Sequence, residues 1–189
     1  MSPDFYANQS MKKTIIIRQA TELDLDDILQ FEFCNIGWFG QFLPEEKLKL
    51  ETKEHLNLHL SNNLKGLFYL VFSPDGMLIG RFNVQLLSGK SQALEVSYRI
   101  AKECNNRGIA RYVLKRLLLL WSSYGVEEVY AQVAGHNNAS IKVLISCGFQ
   151  ISEIPKNNIN FESAMHDSFV FRWSAIDHSS LHLDPPHKD

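Results

Sequence analysis

The chain has 189 residues, 45% hydrophobic and 21% charged, with a formal net charge of -2. That length supports one substantial core in one domain with tails. The charge gives no overall basic field, so nothing calls for DNA or RNA. Cys34, Cys104 and Cys147 are odd in number, widely spaced and without a CxxC pair. They argue against a disulfide framework or a cysteine zinc site and point to a reducing cytoplasm.

"MSPDFYANQS" lacks the basic and apolar regions of a secretory signal. Met11-Lys12-Lys13 precedes the first strand-like run, so Met1 and Met11 both stay open as the start and residues 1–13 read as an extension. The folded domain is expected over 14–175. The remainder, 176–189, mixes His, Ser and Pro-Pro without periodicity and reads as a flexible tail. Its His178, His182 and His187 fit a solvated tail better than a metal site. The compact apolar run Leu117 to Trp121 is far shorter than the roughly 20 residues a bilayer span needs, so no membrane partner is expected.

In chain order, "TIIIR" reads as a strand, then Thr21 caps a helix with Glu22 and Asp24 in its first turn. Leu25, Ile28, Leu29 and Phe31 to Phe33 give it an apolar face, with Gly37 and Gly40 as breakers. The aromatic run "FEFCNIGWFGQF" suits a core and equally a pocket wall. Pro44 opens a second helix carrying His55 and His59 at i, i+4, a ligand-compatible spacing without a third ligand. "LFYLVF", "MLIGRFNVQLL" and "ALEVSYRIA" then read as three antiparallel strands joined by tight turns.

Next comes "CNNRGIARYVLKR", a loop entering a helix whose stripe is Ile109, Ala110, Val113, Leu114, Leu117, Leu118 and Trp121. The strand "EVYAQVA" follows, then a helix with Ile141, Leu144 and Ile145, and two further strands beginning in "FQISEI" and "SFVFRW". The order β-α-α-β-β-β-α-β-α-β-β describes an α/β domain on a mixed sheet. At the loop, amides around Gly108 could cradle an anion with help from Arg107 and Arg111; an ordinary helix start with solvated arginines fits the fragment equally well. No P-loop or GxGxxG motif is present.

"RIAKECNNRGIARYVLKRLLLLW" followed by "VYAQVAGHNNASIKVLISCGF" resembles the GNAT superfamily of acyl-CoA-dependent N-acyltransferases, most closely its ribosomal-protein N-terminal (alanine/serine) acetyltransferase branch. In that family the first segment carries Q/R-x-x-G-x-G/A, which grips the CoA pyrophosphate. Asn105, Gly108 and Ala110 stand at those positions, Asn105 being shorter than the usual residue. The second segment carries N-x-A-S-x-[KR]-x-L-x-x-x-G-F, matched by Asn137, Ala139, Ser140, Lys142, Leu144, Gly148 and Phe149. "IIIRQATELDLDDIL" and "MLIGRFNV" extend the likeness over about residues 14 to 173. The resemblance implies a mixed, mostly antiparallel sheet flanked by helices, with acetyl-CoA as a substrate and no metal.

It also implies roles. The backbone from Asn105 through Asn106, Arg107, Gly108, Ile109 and Ala110 to Arg111 would hold the pyrophosphate, and Tyr98, Arg99, Ile100 and Asn137 the pantetheine arm. Glu95 matches the family's base, with a surface carboxylate as its plain alternative. Many relatives carry an acid tyrosine where this chain has Leu144; Ser140 matches the hydroxyl donor of the ribosomal branch, with helix capping as the competing role. Asn137 has loop capping as its competitor, and Cys104 and Cys147 read as packing residues. The expected reaction is direct acetyl transfer to a primary amine, foremost a protein or peptide N-terminal α-amine. A small amine such as a polyamine or aminoglycoside, or a CoA-binding sensor module with weak catalysis, stays open, as does monomer against homodimer.

Overall fold

A computed structural model describes residues 15–43, 45–49, 52–61, 66–90, 92–152 and 168–176. The expected extension 1–13, Pro44, the tail histidines and the end of "FQISEI" lie outside the described residues.

The β-branched opening forms β1, Ile16–Gln19. A 3-10 turn at Glu22–Asp24 then leads into α1, Leu25–Phe39. The start signal expected of Thr21 is carried mainly by Asp24, whose Oδ2 accepts from the Thr21 amide at 2.8 Å, the Thr21 hydroxyl at 3.0 Å and Arg18 at 2.8 Å. Gly37 does not break α1, contrary to expectation. An exposed glycine costs a helix about 1 kcal/mol, which the burial of Ile28, Phe31 and Phe39 on the other face outweighs. Phe33, expected on the apolar face, is 78% exposed.

The single helix expected from Pro44 is two, α2 at Glu45–Lys49 and α3 at Lys53–Ser61. Thr52 starts the second: its Oγ1 accepts the His55 amide at 3.3 Å and its carbonyl the Leu56 amide at 2.9 Å. A capping residue inside an apparently continuous helical pattern opens a new helix there.

The expected meander is present as β2, Leu67–Phe72, β3, Leu78–Leu86, and β4, Ala93–Ile100. After it come α4, Ile109–Ser123, β5, Glu128–Ala134, α5, Asn138–Ser146, β6, Gln150–Ile151, and β7, Ser168–Ser174. One seven-stranded sheet runs in the order β1-β2-β3-β4-β5-β7-β6. All neighbours are antiparallel except β4 and β5, which are parallel as a helix crossover requires.

That parallel pairing is short. It covers Ala93 with Glu128, Leu94 with Val129 and Glu95 with Tyr130. Beyond it β4 stays paired to β3 as far as Ile100, and β5 to β7 as far as Ala134. Each strand keeps its outer partner while the two part from each other, opening a gap in mid-sheet.

Helices cover both faces. On one, the α4 residues Ile109, Val113, Leu114, Leu117, Leu118 and Trp121 pack with Val96, Val129 and Phe171. On the other, Ile28 of α1 and Leu56 of α3 close over Phe68, Leu70 and Phe72 of β2. Within this second layer Arg81 is fully buried and bonds Glu32 of α1 at 2.8 Å, while Arg99 of β4 grips the same carboxylate. Asn35 adds a tie by accepting the Lys102 amide at 2.9 Å. These polar links hold α1 in place over the open end of β4.

Candidate active site

The gap between β4 and β5 is the floor of a groove of about 520 Å³. Val96 to Ile100 form one wall and Ala131 to Ala134 the other, both drawn from beyond the paired segment. Past Glu95 the groove-side edge of β4 has no β5 partner, so an extended chain could bond along Tyr98, Arg99 and Ile100 as an added strand.

One end of the groove is the turn into α4. Asn106 has φ 58 and Gly108 φ 71, both left-handed, while Asn105, between a 3-10 turn at Lys102–Cys104 and this pair, is extended. Alternating backbone of this kind turns successive amides toward one side, and glycine takes the second left-handed position without strain. The first helical bond runs from the Tyr112 amide to the Gly108 carbonyl. The amides of Ile109, Ala110 and Arg111 therefore precede the helix ladder, where an anion is favoured.

Of the residues expected there, Asn105, Asn106, Gly108, Ile109, Ala110 and Arg111 line the groove. Arg107 is exposed and is not part of the lining, and Arg116 lies over the Tyr112 ring at 4.9 Å. The Ile109 side chain belongs to the core, so this residue can offer only its backbone.

Midway along, α5 meets β4. Asn137 caps α5, its Oδ1 accepting the Ser140 amide at 3.1 Å. Capping is thus done by Asn137, and the Ser140 hydroxyl does something else: it lies 2.8 Å from the Tyr98 hydroxyl. Tyr98 stacks on Phe82 at 5.1 Å, and burial pushes its phenol well above the usual range, against a smaller lowering from the Ser140 hydrogen bond. Leu144 is buried beside them in the groove lining. Burial also raises the thiols of Cys104 and Cys147, which keeps both protonated and poor nucleophiles.

The far wall is aromatic. Trp38, Phe39 and Phe42 reach the groove from α1 and the residues after it. Phe42 stacks on His136, whose Nε2 lies 2.9 Å from the Gln41 carbonyl, so this segment is tied to the loop ahead of α5. Sequence reading left this run between core and wall; it is both, since Phe31 and Phe39 also pack on Ala101.

Glu95 is not in the groove lining. It faces a neighbouring cavity of about 170 Å³ with His55, His59, Asn83 and Gln85, and accepts a hydrogen bond from Gln85 at 3.0 Å. The two spaces share Ser97, two residues along β4 from Glu95 and on the same face. His59 stacks on Phe68 at 4.6 Å, so this histidine is half-buried against β2. Among the described residues, no cluster of His, Cys, Asp and Glu could hold a metal ion.

Sequence reading missed Glu32, Arg81 and the Tyr98 side chain. The first two had a signal, a charge set inside the apolar runs "FEF" and "GRFNV". The third had none, because its partner is distant in sequence.

A split mid-sheet groove with an amide-rich turn at one end and a hydroxyl pair at its centre has room for an extended ligand with an anionic head. The chain belongs to the GNAT acetyltransferases: residues 14–150 match the Acetyltransferase (GNAT) domain. No curated protein sequence matches the chain significantly. Among solved structures it is similar to the ribosomal-protein-S5-alanine acetyltransferase of Vibrio fischeri, with TM-score 0.71 and 18% identity over 85% of this chain and 93% of that one. RimJ of Mycobacterium smegmatis, in complex with CoA-disulfide, gives TM-score 0.71 at 16% identity over 86% and 83%. A spermidine N-acetyltransferase chimera from Vibrio cholerae and hSSAT gives 0.69 at 18% over 88% and 99%. At these identities the likeness is one of fold.

Proposed function

We propose that this protein transfers the acetyl group of acetyl-CoA to a primary α-amine at a protein or peptide N-terminus. The observation that carries this reading is the continuity of the site: the turn at Gly108, the free edge of β4 and the Ser140 hydroxyl follow one another along a single groove, and Ser97 joins it to the cavity that holds Glu95. The CoA complex of RimJ supports the donor.

The chemistry then divides among named groups. The amine nitrogen bonds to the thioester carbonyl carbon, and its proton passes to Glu95 directly or through water. The C–S bond breaks with its electrons going to sulfur. Ser140 gives that sulfur a proton and regains one from solvent, leaving an N-acetyl amide and CoA thiol. No enzyme-bound acyl group is needed, in keeping with the raised thiols of Cys104 and Cys147.

Two points favour an α-amine. With a pKa near 8 it is about a tenth neutral at pH 7, whereas an amine near 10.4 is neutral in only a few molecules per ten thousand, so a lone carboxylate suffices as base. Among the described residues, the groove lining contains no Asp or Glu and the small cavity only Glu95. A polyamine with several positive charges would find one counter-charge.

Incubation with acetyl-CoA and peptides beginning in alanine or serine, beside spermidine and an aminoglycoside, is expected to release CoA thiol and add one acetyl group to the peptides. Turnover confined to spermidine or the aminoglycoside would reverse the acceptor assignment, and absence of acetyl-CoA binding by calorimetry would remove the reading.

A further inference from the structure

Ser140 can protonate a departing sulfur only if its single hydroxyl proton is not already committed elsewhere. Its nearest side-chain partner is Tyr98, 2.8 Å away between the two hydroxyl oxygens. Either oxygen could be the donor by geometry alone, and chemistry decides between them. A phenol is a stronger acid than an alkyl alcohol and so the better donor, and an alkyl hydroxyl is the better acceptor. The other acceptor in reach of the phenol, the Ser140 carbonyl, is farther at 3.4 Å. Burial keeps the phenol protonated across the working pH range, so its proton stays available to give.

We propose that Tyr98 is a positioning residue: its hydroxyl donates to Ser140 Oγ, fixes the serine rotamer and leaves the serine proton directed into the groove. This rests on the reading of Ser140 as the group that meets the leaving thiolate. Three restraints converge on that hydroxyl. Stacking on Phe82 fixes the Tyr98 ring, the Asn137 cap fixes the Ser140 backbone, and the hydrogen bond joins strand to helix across the groove floor. Leu144 on the same helix offers no proton, and a tyrosine from β4 supports the serine. Tyr98 forms and breaks no covalent bond; it holds a neutral donor in place while the C–S bond breaks.

The test uses Tyr98→Phe, which removes the hydroxyl and keeps the stacked ring, with Ser140→Ala and the double variant. Two readouts apply. The first is titration of the thiol of bound CoA by ultraviolet thiolate absorbance, which needs no acceptor. A hydrogen bond donated to the thiolate is expected to lower the wild-type value by about one unit relative to free CoA. Each single variant should return it toward the free value, and the double variant no further. The second is turnover with the alanine or serine peptide: Tyr98→Phe should lower kcat about tenfold with KM for acetyl-CoA within about twofold, and should add nothing in the Ser140→Ala background.

If Ser140→Ala shifts the thiol titration while Tyr98→Phe leaves it at wild type, the inference is overturned and the Ser140 reading stands. Wild-type titration in Ser140→Ala overturns both. Effects that accumulate in the double variant, or a loss of CoA affinity with unchanged titration and kcat, assign Tyr98 to the groove wall and overturn its positioning role.

Discussion

At the scale of single residues, the site divides into groups whose type was readable and groups whose partners were not. Ser140 was named by its motif and Glu95 by the likeness of its strand to the family, but neither says what surrounds a side chain. Glu95 lies in a side cavity and accepts from Gln85, its cross-strand neighbour. A base there would meet an amine held in the groove where the two spaces join, at Ser97. Glu95→Gln is therefore expected to lower kcat about a hundredfold at neutral pH, with acetyl-CoA affinity unchanged by calorimetry. Part of the loss should return as the pH is raised and the free amine grows. Wild-type turnover in this variant would place the base elsewhere, and a parallel loss of acetyl-CoA binding would make Glu95 structural. The buried Glu32 with Arg81 and Arg99 makes the complementary point. Two of its members sit inside apolar runs where a charge is costly unless paired, and the pairing partner comes from another element.

At the scale of elements, the junction of turn and helix at α4 was the most legible feature, because it is local. Its glycine, its amide-rich turn and its apolar stripe fall within one stretch of chain, and the stripe buries as its spacing predicts except at Ala110, which lines the groove. Gly108→Ala should test the turn. A left-handed conformation costs an ordinary residue about 1–2 kcal/mol, so the variant is expected to lose roughly that much stability and to bind CoA about tenfold more weakly, measured by calorimetry. Unaltered CoA affinity would show that the amides of this turn are not the grip. Where elements were misread, the error was also local. Thr52 can sit inside a helix or start one, and Gly37 can end a helix or be carried by it. Propensity differences of about 1 kcal/mol are small beside the burial that decides such cases.

At the scale of the whole molecule, charged ties join elements both distant and adjacent in sequence, and two of their carboxyls are held low. Burial alone would raise the Glu128 carboxyl of β5, but hydrogen bonds from Lys90, Arg172 and Tyr130 outweigh it and hold the group at about 2. Asp24 is likewise held at about 2, chiefly by Arg18 with help from Thr21 against opposing burial. Both carboxyls sit below their ordinary values in the folded state, so each stabilises the fold above pH about 4.5 and loses that contribution as pH falls toward 2. Partial exposure of Lys90, Arg172 and Arg18 limits each contribution to about 1–2 kcal/mol. Thermal midpoints should therefore fall steeply between about pH 4.5 and 2, and Glu128→Gln should flatten part of that slope while lowering stability at neutral pH. An unchanged slope would mean that the carboxylate titrates alike in both states.

The sequence by itself determined the strand and helix types, the family, the turn that precedes α4 and the Asn137 to Phe149 motif, because each depends on periodicity or on residues adjacent in the chain. Only the tertiary structure decided that β4 and β5 separate after three residue pairs, that Glu95 opens onto a side cavity, and that Tyr98 meets Ser140 from across the groove. Those outcomes depend on which outer strand holds each edge and on contacts between residues some forty positions apart, and neither the period of a pattern nor the spacing of a motif encodes them.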